Sequence, residues 1–162
     1  MILDLLMPII TTLGNGGMIW IALTAILLIS RRYRNVGAAM LCALILDATV
    51  CNLILKPLVA RIRPCDVNTA VQLLIARPTD YSFPSGHTAA SFAATAALYF
   101  SRQKLWKPAL VLSVLIAFSR LYLYVHYPTD VLAGVIIGSI MGYLGFRAAA
   151  FLATFWTRCR HE

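Results

Sequence analysis

Long apolar stretches alternate with short polar clusters along the chain. Five of the stretches approach the length of a membrane span: residues 14–30, 36–55, 85–100, 106–125 and 129–146, against the roughly 17–25 residues that cross a bilayer as helix. The third is short and must borrow its polar start or a thinned bilayer. The opening "MILDLLMPIITT" is apolar but too short to span, and Asp4 and Pro8 interrupt it. It lacks the charged start and small-residue cleavage site of a signal peptide. It reads as an interfacial helix or partial span, with a sixth full span as the alternative. The pattern predicts an all-α, polytopic membrane helix bundle of about five to six membrane helices. No linker, low-complexity run or internal repeat divides it, so residues 1–162 are expected to form a single domain.

Composition supports the membrane reading. The 162 residues are 60% hydrophobic and 12% charged, with a mean hydropathy of +0.80; a soluble domain carries about 25% charged residues. The net charge of +8 could suggest nucleic acid, but its distribution does not. Arg31, Arg32, Arg34, Arg102, Lys104, Lys107, Arg147, Arg158 and Arg160 fall on one side if the five spans alternate. Lys56, Arg61, Arg63, Arg77 and Arg120 fall on the other. The richer side is expected to be cytoplasmic, which puts the N-terminus outside and the C-terminus inside. The four cysteines contain no CxxC pair. Cys42 and Cys51 read as packing residues, Cys65 as an outer thiol and Cys159 as part of the inner tail. Between Pro64 and Pro78, "VNTAVQLLIA" reads as a short amphipathic helix on the membrane.

The polar clusters all fall at the outer ends of spans. They are "KPLVARIRP" from Lys56, "PSGH" from Pro84 to His87, and "SRLYLYVHYPTD" from Ser119 to Asp130. Lys56, Arg63 and Arg120 are cations with no carboxylate run nearby to pair them all, which invites a multiply charged anion. Ser85 can cap the third span, whose first N–H groups then face that anion. Gly86 permits close backbone approach. His87 and His126 supply acid–base and nucleophile chemistry. Asp130, four residues after His126, can accept from one imidazole nitrogen and leave the other free to attack. No acidic cluster for a metal ion is visible, and the cations can fill its electrostatic role, so neither metal nor cofactor is expected.

These three clusters resemble the signature of the type-2 phosphatidic acid phosphatase superfamily: K-x6-RP, then PSGH, then SR-x5-H-x3-D. The match runs from Lys56 to Asp130 in order and spacing. The resemblance implies a membrane lipid phosphatase in which His126 becomes the phosphohistidine, Asp130 orients it and His87 protonates the leaving group. By the same resemblance Lys56, Arg63, Ser85, Gly86 and Arg120 hold the phosphoryl oxygens. The short bacterial members it resembles point to undecaprenyl diphosphate as lipid phosphate substrate, with phosphatidic acid or phosphatidylglycerol phosphate as alternatives. A lipid phosphotransferase and a non-enzymatic lipid binder or translocator are the rival classes.

Taken singly, each cluster has a plainer reading. Lys56 and Arg63 could be snorkelling anchors, PSGH a capped helix start, His126 an interfacial histidine, and Tyr122, Tyr124 and Tyr127 an aromatic belt. Three independent spacings on one membrane face argue against those readings together. Gly134, Gly138 and Gly142 form a small-residue face, which predicts packing within the bundle ahead of a homo-oligomer contact. Asp47 lies nine residues before Lys56. On a regular helix that is ~13.5 Å away and about 180° round, so it is expected to stay outside the site. Asn52, one turn below Lys56 on its face, is the better candidate to support it. Pro128 disfavours helix at Tyr127. The fourth helix is therefore expected to end or distort between Leu121 and Val125, with His126 in the turn.

Overall fold

The structure is a computed structural model that describes residues 2–158. Among them every regular element is helical. Helix α1 (Ile2–Leu13) is followed by a 3-10 turn (Asn15–Gly17) and α2 (Met18–Ile29). Then come α3 (Arg34–Asp47), a π-helical stretch (Ala48–Leu55), and the short α4 (Lys56–Val59) and α5 (Pro64–Val67). Three helices close the chain: α6 (Gly86–Phe100), α7 (Trp106–Tyr122) and α8 (Pro128–Arg158).

Two runs, Arg34–Val67 and Pro128–Thr154, are long and apolar enough to cross a membrane. A third is added if Ile2–Leu13 and Asn15–Ile29 count as one broken span, bent by 44°. That bend is built on Gly16 and Gly17, whose φ values of 56° and 70° lie in the left-handed region that glycine enters without steric cost.

Small residues set how closely the helices pack. A Cβ on Gly138 would lie 2.2 Å from the Ala89 carbonyl oxygen, and one on Gly142 2.5 Å from that of Ala93, so α8 runs backbone against backbone along α6. Gly145 makes the same approach to Ala43 of α3. The glycine face is thus spent within the bundle, as in close membrane helix pairs. A polar seam crosses the apolar core. Trp20 Nε1 donates to Ser91 Oγ (2.9 Å) and Ser113 Oγ to the Ser91 carbonyl (3.0 Å), tying α2 and α7 to α6. Leu, Ile and Val side chains such as Ile26, Ile45, Val111, Leu132 and Ile136 cover the outside.

Two sequence expectations fail here. Residues 68–85 contain no helix. Leu73 and Ile75 instead pack into a small cluster around Met7, Cys65, Leu123 and Val125. That use of the apolar side chains anchors an extended loop in place of a helical face. Cys65 is fully buried in the same cluster, so it is no exposed thiol. Cys159 lies outside the described residues.

Candidate active site

The helix break predicted from Pro128 is present. Helix α7 ends at Tyr122 and α8 starts at Pro128, which leaves His126 in the turn between them. The three clusters meet around one cavity of about 810 Å³, whose lining includes Lys56, Arg63, Gly86, His87, Arg120 and His126. This falls within the ~300–1,000 Å³ of small-molecule sites.

Asp130 holds the turn from below. Its Oδ2 accepts from Ser82 Oγ (2.5 Å) and the Tyr127 N–H (2.9 Å), and its Oδ1 accepts from Arg61 Nη1 (2.7 Å). Its carbonyl accepts from the Ser85 N–H at 3.1 Å, joining the starts of α6 and α8. His126 Nδ1 lies 3.6 Å from Asp130 Oδ2, too long for a direct hydrogen bond. Ser82 Oγ, 3.5 Å from Nδ1, lies beside both groups. On the other side of the ring, Arg63 Nη1 is 3.1 Å from Nε2. A guanidinium only donates, so Nε2 must carry the lone pair and Nδ1 the proton. Burial pushes the imidazole down to about 4. Asp130 opposes that shift, while Arg63, Arg120 and Lys56 reinforce it. The ring is therefore neutral near pH 7.

The cations are held unequally. Asp80 pairs with Lys56 Nζ, and its Oδ1 accepts from Arg63 Nη2 at 2.6 Å. One carboxylate thus serves two of the three cations and leaves Arg120 without one among the described residues. Arg120 Nη1 donates to Thr11 Oγ1 (2.6 Å). Its Nε has no partner, its side chain is buried, with 3% of the residue exposed, and it makes no ion pair among the described residues.

Other residues depart from the sequence reading. Ser85 starts α6 but makes no side-chain capping bond. It is buried, and its Oγ accepts from Thr88 Oγ1 at 3.0 Å. The cavity wall at the start of α6 is formed by Gly86 and His87 instead. Asp47 does line the cavity, as does Asn52. An offset of 180° holds for a regular α-helix, whereas the intervening Ala48–Leu55 is π-helical, with i→i+5 bonds and a different angular step. Tyr127 is more than a belt residue, since the Arg61 guanidinium lies 3.9 Å over its ring.

Several neighbours carried no signal in the sequence. His87 Nε2 is 2.9 Å from Asn15 Oδ1, and a Cβ on Gly14 would come within 2.9 Å of the His87 ring. The turn after α1 is therefore part of the site. Among the described residues no group of three or more His, Cys, Asp or Glu could hold a metal ion.

The arrangement brings two histidines and three cations to one cavity, in the order and spacing of the three clusters. The PAP2 superfamily matches residues 35–154. The chain belongs to that superfamily. It is 37% identical over 127 residues to an undecaprenyl-diphosphatase of Sulfolobus acidocaldarius, a match covering 78% of this chain and 61% of the relative. The chain thus spans about three fifths of that relative's length. Its fold is similar to the crystal structure of Aquifex aeolicus LpxE, with TM-score 0.75 and 28% identity over 90% of this chain and 86% of the other. It is also similar to a transmembrane PAP2-type phosphatidylglycerolphosphate phosphatase from Bacillus subtilis. There the TM-score is 0.70 at 29% identity, over 88% of this chain and 74% of the other. These likenesses agree with an all-helical membrane protein.

Proposed function

We propose that the chain is an integral-membrane lipid phosphatase that releases phosphate from undecaprenyl diphosphate through a phosphohistidine intermediate. The observation that carries the reading is Arg120, a buried guanidinium on the cavity wall with no carboxylate partner among the described residues. A buried charge is costly unless a counter-charge meets it, and a phosphoryl group supplies one. The undecaprenyl-diphosphatase relative favours the diphosphate; the phosphatidylglycerolphosphate phosphatase neighbour keeps that monoester as second choice.

In this mechanism Nε2 of His126 attacks phosphorus and the bond to the leaving oxygen breaks. His87 gives that oxygen its proton. Water then attacks the phosphohistidine, His87 takes the water's proton, and inorganic phosphate leaves. Asp130, with Ser82 between, holds the proton on Nδ1. Lys56, Arg63 and Arg120 balance charge on the phosphoryl oxygens, and Gly86 lets the backbone come close. No step calls for a metal ion, so activity is expected to survive excess chelator. Rescue of EDTA-treated protein by Mg²⁺ would overturn that.

We place five spans at α2, α3 with its π-helical continuation, α6, α7 and α8, and α1 as a partial span. The site then opens on the extracellular or periplasmic side, with the C-terminus in the cytoplasm. The test is phosphate release by purified protein from a panel of lipid mono- and diphosphates, with His126→Ala as control. Turnover by His126→Ala at the wild-type rate would refute the phosphohistidine. Transfer of phosphate to an added acceptor lipid would reassign the chain as a phosphotransferase.

A further inference from the structure

Among the described residues Asp80 is the one carboxylate that holds two of the cavity's cations, and the mechanism does not use it. Its Oδ2 meets Lys56 Nζ and its Oδ1 meets Arg63 Nη2, as two oxygens of a phosphoryl group would. All five Arg63 donors are taken. Nε reaches the Asp80 carbonyl (2.8 Å), Nη2 reaches Oδ1 and the Tyr81 carbonyl, and Nη1 reaches the Val125 carbonyl and His126. A phosphate can gain an Arg63 donor only if one of these acceptors leaves. His126 Nε2 gives up its Arg63 donor when it attacks, and among the acceptors that the mechanism does not use, Asp80 is the one fitted to leave. Its side chain is 54% exposed, against 9% for Lys56 and 2% for Arg63. It also sits on the stretch 68–85, which no helix holds.

We propose that Asp80 is a specificity-determining residue. Its carboxylate occupies the phosphate-facing donors of Lys56 and Arg63, so that only a terminal phosphate dianion, and not a phosphodiester monoanion, displaces it. This rests on the phosphatase reading of the same cavity. The physical need is plain. A membrane surface is crowded with phosphodiester lipids, each carrying one negative charge on its phosphate and two non-bridging oxygens. A terminal phosphate carries up to two charges and three such oxygens. Against a cavity with three uncompensated cations, both would bind. With one carboxylate already in place, a monoanion offers nothing that Asp80 does not, whereas the dianion offers more charge and an additional acceptor. Lys56 and Arg63 keep Asp80 ionised. Although burial works to raise its carboxyl, they hold it down at about 2. The competitor is therefore charged near neutral pH.

The test compares wild type, Asp80→Asn and Arg120→Ala as purified full chains, by calorimetric titration with inorganic phosphate and with dimethyl phosphate. Asp80→Asn is expected to bind phosphate about tenfold tighter. Dimethyl phosphate should gain more than phosphate does, so that the preference between the two shrinks. Unchanged or weaker phosphate binding in Asp80→Asn overturns the proposal, because the carboxylate would then only position the cations. So does an unchanged preference. A second measurement needs no Asp80 variant. Hydrogen exchange of the peptide covering 76–82 in the wild-type chain should speed up when vanadate is added, as the loop lets go. Slower or unchanged exchange with vanadate present also overturns it. Arg120→Ala keeps the two readings apart. If phosphate binds there as in wild type, the anion site of the phosphatase reading fails. The Asp80 inference is judged on Asp80→Asn alone.

Discussion

Burial pushes His126 down to about 4, with Arg63, Arg120 and Lys56 pushing the same way against Asp130. An ordinary imidazole titrates near 6.5 and would be mostly protonated at pH 5. With the value lowered, the neutral form persists as pH falls and is lost only on passing through about 4. The ¹⁵N imidazole signal that disappears in His126→Ala should therefore stay neutral at pH 5.5 in wild type; a midpoint near 6.5 would contradict the burial account. Ser82 offers a second test. Its hydroxyl donates to Asp130 at 2.5 Å while lying 3.5 Å from Nδ1. Hydrogen bonds to charged groups contribute about 1.5–3 kcal/mol, so Ser82→Ala is expected to lower kcat roughly ten- to a hundredfold. KM should change little, since Ser82 faces the underside of the turn. Arg61 secures the other Asp130 oxygen, and its stacking on Tyr127 uses the flat face that lysine lacks. Arg61→Lys should therefore also lower kcat more than it raises KM.

At the scale of elements, the packing of α8 on α6 is what brings Asp130 and His87 to one end of the bundle. The α6–α8 contact has no spare room. A methyl on Gly138 would meet backbone, the Ala89 carbonyl oxygen, at 2.2 Å, and backbone cannot swing aside. Gly138→Ala should part the two helices. Overpacking costs about 1–3 kcal/mol, and Tm should fall on the order of 5 °C, with activity falling too. Gly86→Ala is the contrasting case. Its new methyl would lie 3.2 Å from Asn52 Oδ1, the end of a side chain. Stability should be nearly unchanged while KM rises, because the cavity wall has moved inward. The π-helical Ala48–Leu55 is the other decisive element. It turns Asp47 and Asn52 onto the wall that also carries Lys56.

For the whole molecule, the proposed orientation puts the cavity outside and the connection between α6 and α7 inside. Cys65 is a poor reporter because it is fully buried. Thr69 and Lys104 are both exposed and lie on opposite proposed sides. In a chain without its native cysteines, a membrane-impermeant thiol reagent on intact cells should label Thr69→Cys and spare Lys104→Cys. The reverse pattern would invert the topology and move the substrate pool to the cytoplasm. The N-terminal helix belongs to the same question. Thr11 bonds Arg120, and the Tyr122 hydroxyl donates to Asp4 at 2.7 Å. Helix α1 is thereby fastened to α7 beside the cavity, and not only laid on the membrane.

By itself the sequence determined whatever follows from local chemistry. Apolar runs required helices in lipid. The Pro128 ring forced the break that leaves His126 in a turn, and the spacings of Lys56, Arg63, His87, Arg120, His126 and Asp130 carried the family resemblance. The tertiary structure alone decided which groups meet across long separations. Asp80 reaches Lys56 and Arg63, Ser82 and Arg61 reach Asp130, Asn15 reaches His87, and Thr11 reaches Arg120. None of these pairs has a spacing that marks it, because each is made by folding a loop or a neighbouring helix over the site. Regular local geometry fails at three places: an ideal α-helix turns Asp47 away from Lys56, a serine at a helix start caps it as Ser85 does not, and residues 67–76 carry a helical pattern. Burial of Cys65, Leu73 and Ile75 against Met7 and Val125 overrode that last local preference. Long-range apolar contact outweighs the weak propensity of a ten-residue segment.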